Sequence, residues 1–246
     1  MKKHTFVFEC GTEEIPARFM MGLLAYLQEA FEHKLEQERL AYDSCSVLGT
    51  YRRLVVKVEG LAGFQTEESE VIKGPPKRIA YDESNHKWLP AGLGFAKKQG
   101  VHVDELSIKS IDEVDYVMVS KEKIVNSAAE VLPPILTDVL KRMPLPIEMK
   151  WGVGEHSFFR PVHWFLVMLD GDVVPFQYAG QTSGSVTYGH RFLTKHSDAL
   201  LSASGASIEV SHARDLEVLL QQNFVCLDHH QRRQQIESDL CRYDVC

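Results

Sequence analysis

An apolar run, Trp164-Phe165-Leu166-Val167-Met168-Leu169, constrains the fold of this chain more than any other stretch. Asp170-Gly171 follows it directly. A short continuous apolar run bounded by turn residues is typical of a buried strand, and Asp-Gly is a favoured tight turn between antiparallel strands. We therefore predict a central hairpin over residues 163–178, in which residues 173–178 form the returning strand.

The composition is that of an ordinary globular protein. The chain has 246 residues, of which 44% are hydrophobic and 25% are charged, so it is long enough for two modest domains or one large one. Its formal net charge of -7 provides no overall attraction to nucleic acid or to anionic lipid. Any contact with nucleic acid must therefore come from local basic patches.

The sequence predicts no membrane or targeting segment. It contains no apolar run of the roughly 18 residues that a transmembrane helix needs, and acidic residues follow the start too soon for a signal peptide. The cysteines are odd in number, widely spaced and without a CxxC pair, which favours a reducing cytoplasm over disulfides or a zinc site. They are Cys10, Cys45, Cys226, Cys241 and Cys246.

Strand and helix patterns at the start of the chain predict an α+β fold. Residues 5–10 alternate as a strand, and apolar residues at helical spacing predict a helix over 16–38 with Thr12 as its N-cap. Two β-rich runs follow, at 45–49 and 54–58, and they predict a hairpin or a kinked strand. We expect mixed and antiparallel sheets with flanking helices.

Two charged residues lie where their charge needs a partner. Glu9 stands inside the first apolar strand, and a buried carboxylate is costly when it is unpaired, so we expect it to pair with an arginine. Arg160 enters the apolar run as Arg160-Pro161. Its planar fork suits either a buried glutamate or the phosphate of a ligand, and both roles remain open.

The second half of the chain predicts further helices and strands. Ser127 is placed to cap a helix that runs through Lys141, with a regular part that begins at Pro133-Pro134. Residues 224–227 predict a strand, and Asp228 is placed to cap a final helix.

The chain is predicted to divide into three parts, although one compact unit also fits. The parts are residues 1–65, 66–200 and 201–246. The final helix is still periodic at Cys246, which predicts that the chain is a fragment of a longer protein.

Local basic groups are candidate contacts for RNA. Arg52-Arg53 lies between the two β-rich runs, and a second group begins at Lys73. Neither forms the GxxxxGK[ST] loop that cradles phosphates. Loops rich in arginine and lysine can follow an RNA backbone, and the alternative is that they are merely solvated.

The histidines do not predict a metal site. His156, His163 and His190 lack the HExxH spacing that places two ligands on one helix face. We expect them to lie in the core or to form hydrogen bonds.

Several stretches of the chain, taken in order, share a pattern with one family. They are Glu9-Cys10-Gly11-Thr12-Glu13-Glu14-Ile15-Pro16, Thr50-Tyr51-Arg52-Arg53-Leu54, Lys73-Gly74-Pro75-Pro76, Lys150-Trp151-Gly152, Phe159-Arg160-Pro161-Val162-His163-Trp164 and Gly189-His190-Arg191-Phe192. These stretches resemble, in the same order, motifs of the bacterial glycyl-tRNA synthetase beta subunit. The resemblance covers nearly the whole chain and the N-terminal part of the family's much longer subunit.

The chain departs from the family pattern at particular positions. Tyr51 stands where the family usually has proline, so the turn before Arg52 is expected to differ. Lys150 stands where arginine is usual, and a bidentate contact would be lost there. The family's HD-type helical domain and anticodon-binding region belong to a C-terminal part that this sequence does not include.

The resemblance implies a heterotetrameric α2β2 ligase that joins glycine to tRNA(Gly) with ATP and Mg. It implies that the alpha subunit holds the class II catalytic centre, and that this fragment has a B3/B4-like α+β fold, no catalytic residue and no cofactor or metal of its own. Expected partners are the alpha subunit, tRNA(Gly) and a second beta subunit. The candidate tRNA-binding residues are Arg52, Arg53, Lys73, Lys150, Arg160 and Arg191.

Two other functions remain as alternatives. The fragment could be a scaffold or a docking module for the alpha subunit that never touches RNA, which the net charge of -7 favours. It could also be an editing-type hydrolase, as the B3/B4 resemblance implies, but the sequence shows no nucleophile paired with a base.

Overall fold

The computed structural model describes residues 2–66, 69–82, 85, 87–111, 114–122, 125–146, 148–150, 157–194 and 205–242. The chain divides into a larger unit, Met1–Gln65 with Asn126–Cys246, and a smaller unit, Thr66–Val125. This division differs from the three predicted parts 1–65, 66–200 and 201–246. The reason is that a strand at Val162–Leu169 pairs with the strand at Lys3–Thr12 and so places the chain after residue 126 in the same unit as its N-terminal part.

The strands and helices follow one another along the chain in a mixed order. The described strands are β1 (Lys3–Thr12), β2 (Ser44–Thr50), β3 (Arg53–Ala62), β4 (Ser69–Pro76), β5 (Tyr81–Asp82), β6 (Lys87–Trp88), β7 (Leu106–Ile111), β8 (Val114–Glu122), β9 (Met149–Lys150), β10 (Ser157–Phe158), β11 (Val162–Leu169), β12 (Asp172–Val173), β13 (Gln177–Tyr178), β14 (Gln181–Gly184), β15 (Val186–Tyr188) and β16 (Ser207–Glu209). The described helices are α1 (Ala17–Gln37), α2 (Lys77–Ala80), α3 (Pro90–Gln99), α4 (Ala128–Lys141), α5 (Leu216–Gln222) and α6 (His229–Arg242).

The main sheet of the larger unit has the strand order β13-β14-β11-β1-β3-β2, with β12 beside β11. The antiparallel pairing of β2 with β3 confirms the predicted hairpin. Successive side chains of a strand point to opposite faces. On β1, Phe6 and Phe8 therefore join a core with α1 and α4, while Val7 joins a second core with Leu166 and residues of α5. The α+β class is confirmed.

The predicted hairpin over residues 163–178 is correct only at its turn. The apolar run forms the buried strand β11, but β12 pairs with it only at Met168 and Leu169. Pro175 then follows, and proline has no N–H to continue the ladder. Strand β14 instead lies beside β11 in a parallel pairing.

The predicted helix starts were right in one case and wrong in another. Ser127 precedes α4. Its backbone N–H and its hydroxyl donate hydrogen bonds to the Glu130 carboxylate, at 2.9 Å and 2.7 Å. These hydrogen bonds cap the helix, which starts at Ala128, ahead of the predicted Pro133. Thr12 is no N-cap, because it ends β1 and the helix begins after Pro16.

The smaller unit is built on an antiparallel sheet of order β4-β8-β7 with α2 and α3. Lys73 lies on β4, where its register partner on β8 is Met118. Across both units, no helix in the described ranges is long and apolar enough to cross a bilayer.

Candidate functional site

A cavity of about 480 Å³ in the larger unit brings together segments that are distant in sequence. Its walls come from the turn between β2 and β3, the start of α1, the segment after β15, and the stretch from α5 into α6. We call it the basic cleft. It is lined by Ala17, Met20, Met21, Thr50, Tyr51, Arg52, Arg53, Gly189, His190, Arg191, Phe224, Val225, Cys226 and Arg232.

A buried ion pair lies behind the basic cleft. Arg53 Nη1 donates to Glu9 Oε1 at 3.1 Å, and Arg53 Nη2 donates to the Tyr188 carbonyl at 2.8 Å. Glu9 is 0% exposed and Arg53 is 4% exposed. The arginine partner predicted for Glu9 is thereby confirmed, and it ties β1 and β3 to the end of β15.

The environment shifts both members of this pair away from their ordinary pKa values. Burial raises the pKa of Glu9, against the lowering effects of the Arg53 charge, of the nearby polar groups of Thr187 and Trp164, and of the hydrogen bond with Arg53. Burial likewise lowers the pKa of Arg53, against the raising effect of Glu9. The loss of either partner would leave the other buried without compensation.

Gly11 allows an aromatic ring to cross β1 next to this pair. A Cβ at Gly11 would lie 2.0 Å from Trp164 Cε2, so no larger residue fits without displacing the indole. The Trp164 ring centroid is 4.8 Å from that of Tyr188 and 5.5 Å from Arg53 Cζ. Glu9, Gly11, Arg53 and Trp164, which come from three of the shared sequence motifs, therefore form one cluster.

The segment after β15 carries the motif Gly189-His190-Arg191-Phe192 into the cleft. Gly189 packs closely, since a Cβ there would lie 2.5 Å from Thr194 Cγ2 and 3.0 Å from Asn223 Cβ. The His190 backbone N–H donates to the Asn223 carbonyl at 2.9 Å. This bond links the Arg191 side of the cleft to the segment that carries Phe224.

The charge of the cleft is positive. Arg52 is 6% exposed, Arg191 is partly exposed, and none of the described residues that line the cavity is acidic. Glu14 lies just outside the lining, with its Oε1 4.0 Å from Arg191 Nη1. Arg232 Nη1 donates to the Cys226 carbonyl at 2.6 Å and so fixes the far wall. An anionic group is the ligand that this arrangement favours.

The predicted tRNA-binding residues are only partly brought together. Arg52, Arg53 and Arg191 all line the basic cleft, whereas Lys150 is exposed on β9 and Arg160 lies outside the lining.

Arg160 and Lys73 have contacts of other kinds. Arg160 Nε donates to the Glu14 carbonyl at 3.1 Å rather than to a buried glutamate side chain, and the phosphate role stays a prediction. Lys73 belongs to the smaller unit, where its Nζ lies 3.6 Å from the Tyr116 ring centroid. The tRNA contacts of the six residues stay predictions, and Trp151-Gly152 of the fourth motif lies outside the described residues.

Two residues of the cleft were not found from the sequence. The strand predicted over 224–227 is wrong, because Phe224 has a φ of 61° while Val225 and Leu227 pack into the second core. Arg232 was assigned only to the last helix. Both reach the cleft through the tertiary fold, and no local pattern marks them.

His163 and His190, two of the three histidines considered from the sequence, form hydrogen bonds, as expected. His163 Nε2 lies 3.0 Å from Glu13 Oε1, and His190 Nδ1 accepts from the Phe192 backbone N–H at 3.1 Å. His156 lies outside the described residues. Within the described part of the chain, no group of three or more His, Cys, Asp or Glu could hold a metal ion.

Comparison with known proteins agrees with the motif pattern. The family model described as "Glycyl-tRNA synthetase beta subunit" matches residues 6–244. Proteins named "Glycine--tRNA ligase beta subunit" are 35% identical over 237 residues in Limosilactobacillus fermentum and 38% identical over 230 residues in Desulforudis audaxviator. These alignments cover 96% and 94% of this chain but 32% of each relative, so the chain spans about a third of their length. The resemblance drawn from the motifs is confirmed.

Proposed function

Because the chain belongs to the glycyl-tRNA synthetase beta subunit family, we propose that it positions tRNA(Gly) in a heterotetrameric glycine–tRNA ligase. In this proposal the alpha subunit carries out the ATP- and Mg-dependent chemistry, and this part binds neither cofactor. The free thiols of Cys10, Cys45, Cys226 and Cys241 support assembly in the reducing cytoplasm.

The basic cleft carries the proposal. The chain as a whole is acidic, with a net charge of -7, so it must bind a polyanion through a local concentration of positive charge. Arg52 and Arg191 supply this charge from two different motifs. Arg53 is engaged by Glu9 and by the Tyr188 carbonyl, so its contribution is to hold the wall in place.

The cleft gives no support to a hydrolase. Cys226 is the thiol in its described lining, and its Sγ donates to the Asp228 carbonyl at 3.5 Å. His190 Nδ1 is occupied by backbone N–H groups. A nucleophile activated by a neighbouring base requires a hydrogen bond between the two side chains, and no such bond is described here.

The test is the binding of tRNA(Gly) to this chain across a salt series, measured by fluorescence anisotropy. Arg191→Gln should weaken binding and reduce the slope of log K against log salt by about 1, because one phosphate contact is lost. Arg142→Gln is the matched control, since Arg142 is an exposed arginine at the end of α4 that lies outside the cleft.

A pure scaffold predicts a different result. If the wild-type chain does not bind tRNA(Gly) even at low salt, or if Arg191→Gln and Arg142→Gln bind like the wild type, the cleft does not position tRNA. The subunit-docking alternative would then be preferred.

A further inference from the structure

The basic cleft displays two exposed aromatic side chains. Phe224 is 60% exposed and Tyr51 is 44% exposed, and both line the same cavity. Tyr51 comes from the turn between β2 and β3, and Phe224 follows α5. These two side chains place aromatic faces beside Arg52 and Arg191 in one cavity, an arrangement that suits a ligand with both a flat ring and a negative charge.

The backbone holds Phe224 in this position against its own preference. Its φ of 61° is a conformation that residues with a Cβ rarely adopt. The flanking residues enforce it, because Val225 packs into the second core and its N–H donates to the Leu220 carbonyl at 2.8 Å. Arg232 fixes the carbonyls of Cys226 and Leu227 from the other side. Phe224 is the left-handed residue of a Schellman cap that ends α5, and the cap holds the Phe224 side chain at the cleft.

The size and chemistry of the cleft restrict what can occupy it. A cavity of about 480 Å³ lies in the range of sites for small molecules, and it has no room for a double helix. Aromatic faces bind single bases by stacking, whereas arginine forks bind phosphate. RNA exposes its bases for such stacking only where they are unpaired.

On the basis of the tRNA-positioning function proposed above, we propose that the basic cleft binds one unpaired nucleotide of the RNA. Its base stacks against Phe224 and Tyr51, and its phosphate is held by Arg191 with Arg52. The cleft thus distinguishes a single-stranded segment from a duplex.

The test compares two RNA probes on this chain by fluorescence anisotropy: a blunt duplex without a loop, and the same duplex with an unpaired tail. The wild type should bind the tailed probe more tightly. Phe224→Leu and Tyr51→Leu should each weaken binding of the tailed probe about tenfold, because a stacking face is lost, and leave the blunt probe within about twofold. Phe64→Leu is the matched control, since Phe64 is also 60% exposed in the larger unit and does not line the cleft.

A second variant separates stacking from folding. Phe224→Gly should relieve the strained φ and melt no lower than the wild type, yet lose the preference for the tailed probe. The inference is overturned if the wild type shows no preference for the tail, or if the Phe224 and Tyr51 variants keep it. If the wild type binds both probes equally and Arg191→Gln weakens that binding, only this inference is overturned. If the wild type binds neither probe, the proposed function is overturned as well.

Discussion

Removing Arg53 should destabilise the chain in a way that depends on pH. In Arg53→Met the Glu9 carboxylate, which is 0% exposed, loses its cation and must take up a proton to remain buried. Protonation from an ordinary pKa of 4.5 costs about 1.4 kcal/mol per pH unit, or about 3 kcal/mol at neutral pH. The Tyr188 carbonyl also loses a charge-assisted hydrogen bond, worth about 2 kcal/mol. The expected total is at most about 5 kcal/mol, because the pKa of Glu9 is already raised in the wild type, which bears part of the protonation cost; roughly 3–5 kcal/mol is expected for a broken buried pair.

The direction of the pH dependence follows from the raised pKa of Glu9. A carboxyl with a folded-state pKa above 4.5 contributes stability that is present below that pH and is lost as the pH rises through the folded-state pKa. Without Arg53 this pKa rises further, so the penalty of Arg53→Met should shrink to about 2 kcal/mol near the ordinary pKa, where only the lost hydrogen bond remains.

Urea denaturation followed by tryptophan fluorescence, repeated from neutral to mildly acidic pH, measures this penalty against the wild type at each pH. The double variant Glu9→Gln with Arg53→Met should recover most of the loss at neutral pH and remove its pH dependence. A penalty for Arg53→Met that stays constant with pH, or a double variant no more stable than the single one, would refute the reasoning.

Two further changes test other parts of the structure. Gly11→Ala places a Cβ against Trp164 and should lower the free energy of unfolding, measured by heat or urea, by about 1–3 kcal/mol. The control Gly22→Ala, in open space on α1, should be neutral or raise it by up to about 1 kcal/mol. Equal effects of the two substitutions would contradict the predicted clash. Asp170 has a φ of 53°, which asparagine also tolerates, so Asp170→Asn removes the carboxylate charge while the backbone keeps its conformation. Partial burial raises the pKa of Asp170, but hydrogen bonds from the Thr5 N–H and a neighbouring imidazole lower it overall. The wild type should therefore be about 1 kcal/mol more stable than Asp170→Asn near neutral pH, and this advantage should disappear as the pH falls through the lowered pKa; a difference that persists in acid would exclude the charge as its cause.

The sequence predicted those features that depend on local chemistry. A carboxylate inside an apolar strand requires a cation, and Glu9 has one; an apolar run before Asp170-Gly171 requires a buried strand and a turn, and β11 provides both. The identity of the partner, Arg53, depends on the register that places it opposite Gly11 on the neighbouring strand. That register is set by long-range pairing and is not visible in either segment alone.

The errors arose where long-range contacts override a local pattern. The residues after Val173 have the composition of a strand, yet Pro175 interrupts the ladder and β14 takes the place beside β11. Residues 224–227 alternate like a strand, yet they serve to bury Val225 and Leu227 while Phe224 points into the cleft. No sequence rule distinguishes an alternating segment that forms a ladder from one that only packs.

Arg53 and Arg191 connect the stability of the buried ion pair to the RNA binding that we propose for the cleft. Arg53 holds the Tyr188 carbonyl, and the chain continues from Tyr188 through Gly189 and His190 to Arg191 in the cleft. Loss of Arg53 should therefore lower both stability and RNA affinity, because the Arg191 wall is released. Arg191→Gln should lower RNA affinity while leaving the urea midpoint within about 0.5 kcal/mol of the wild type, since its carboxylate partner is 4.0 Å away at the surface. If Arg53→Met binds RNA like the wild type under conditions where it is folded, the buried cluster and the basic cleft are independent, and the shared motifs serve two unrelated purposes.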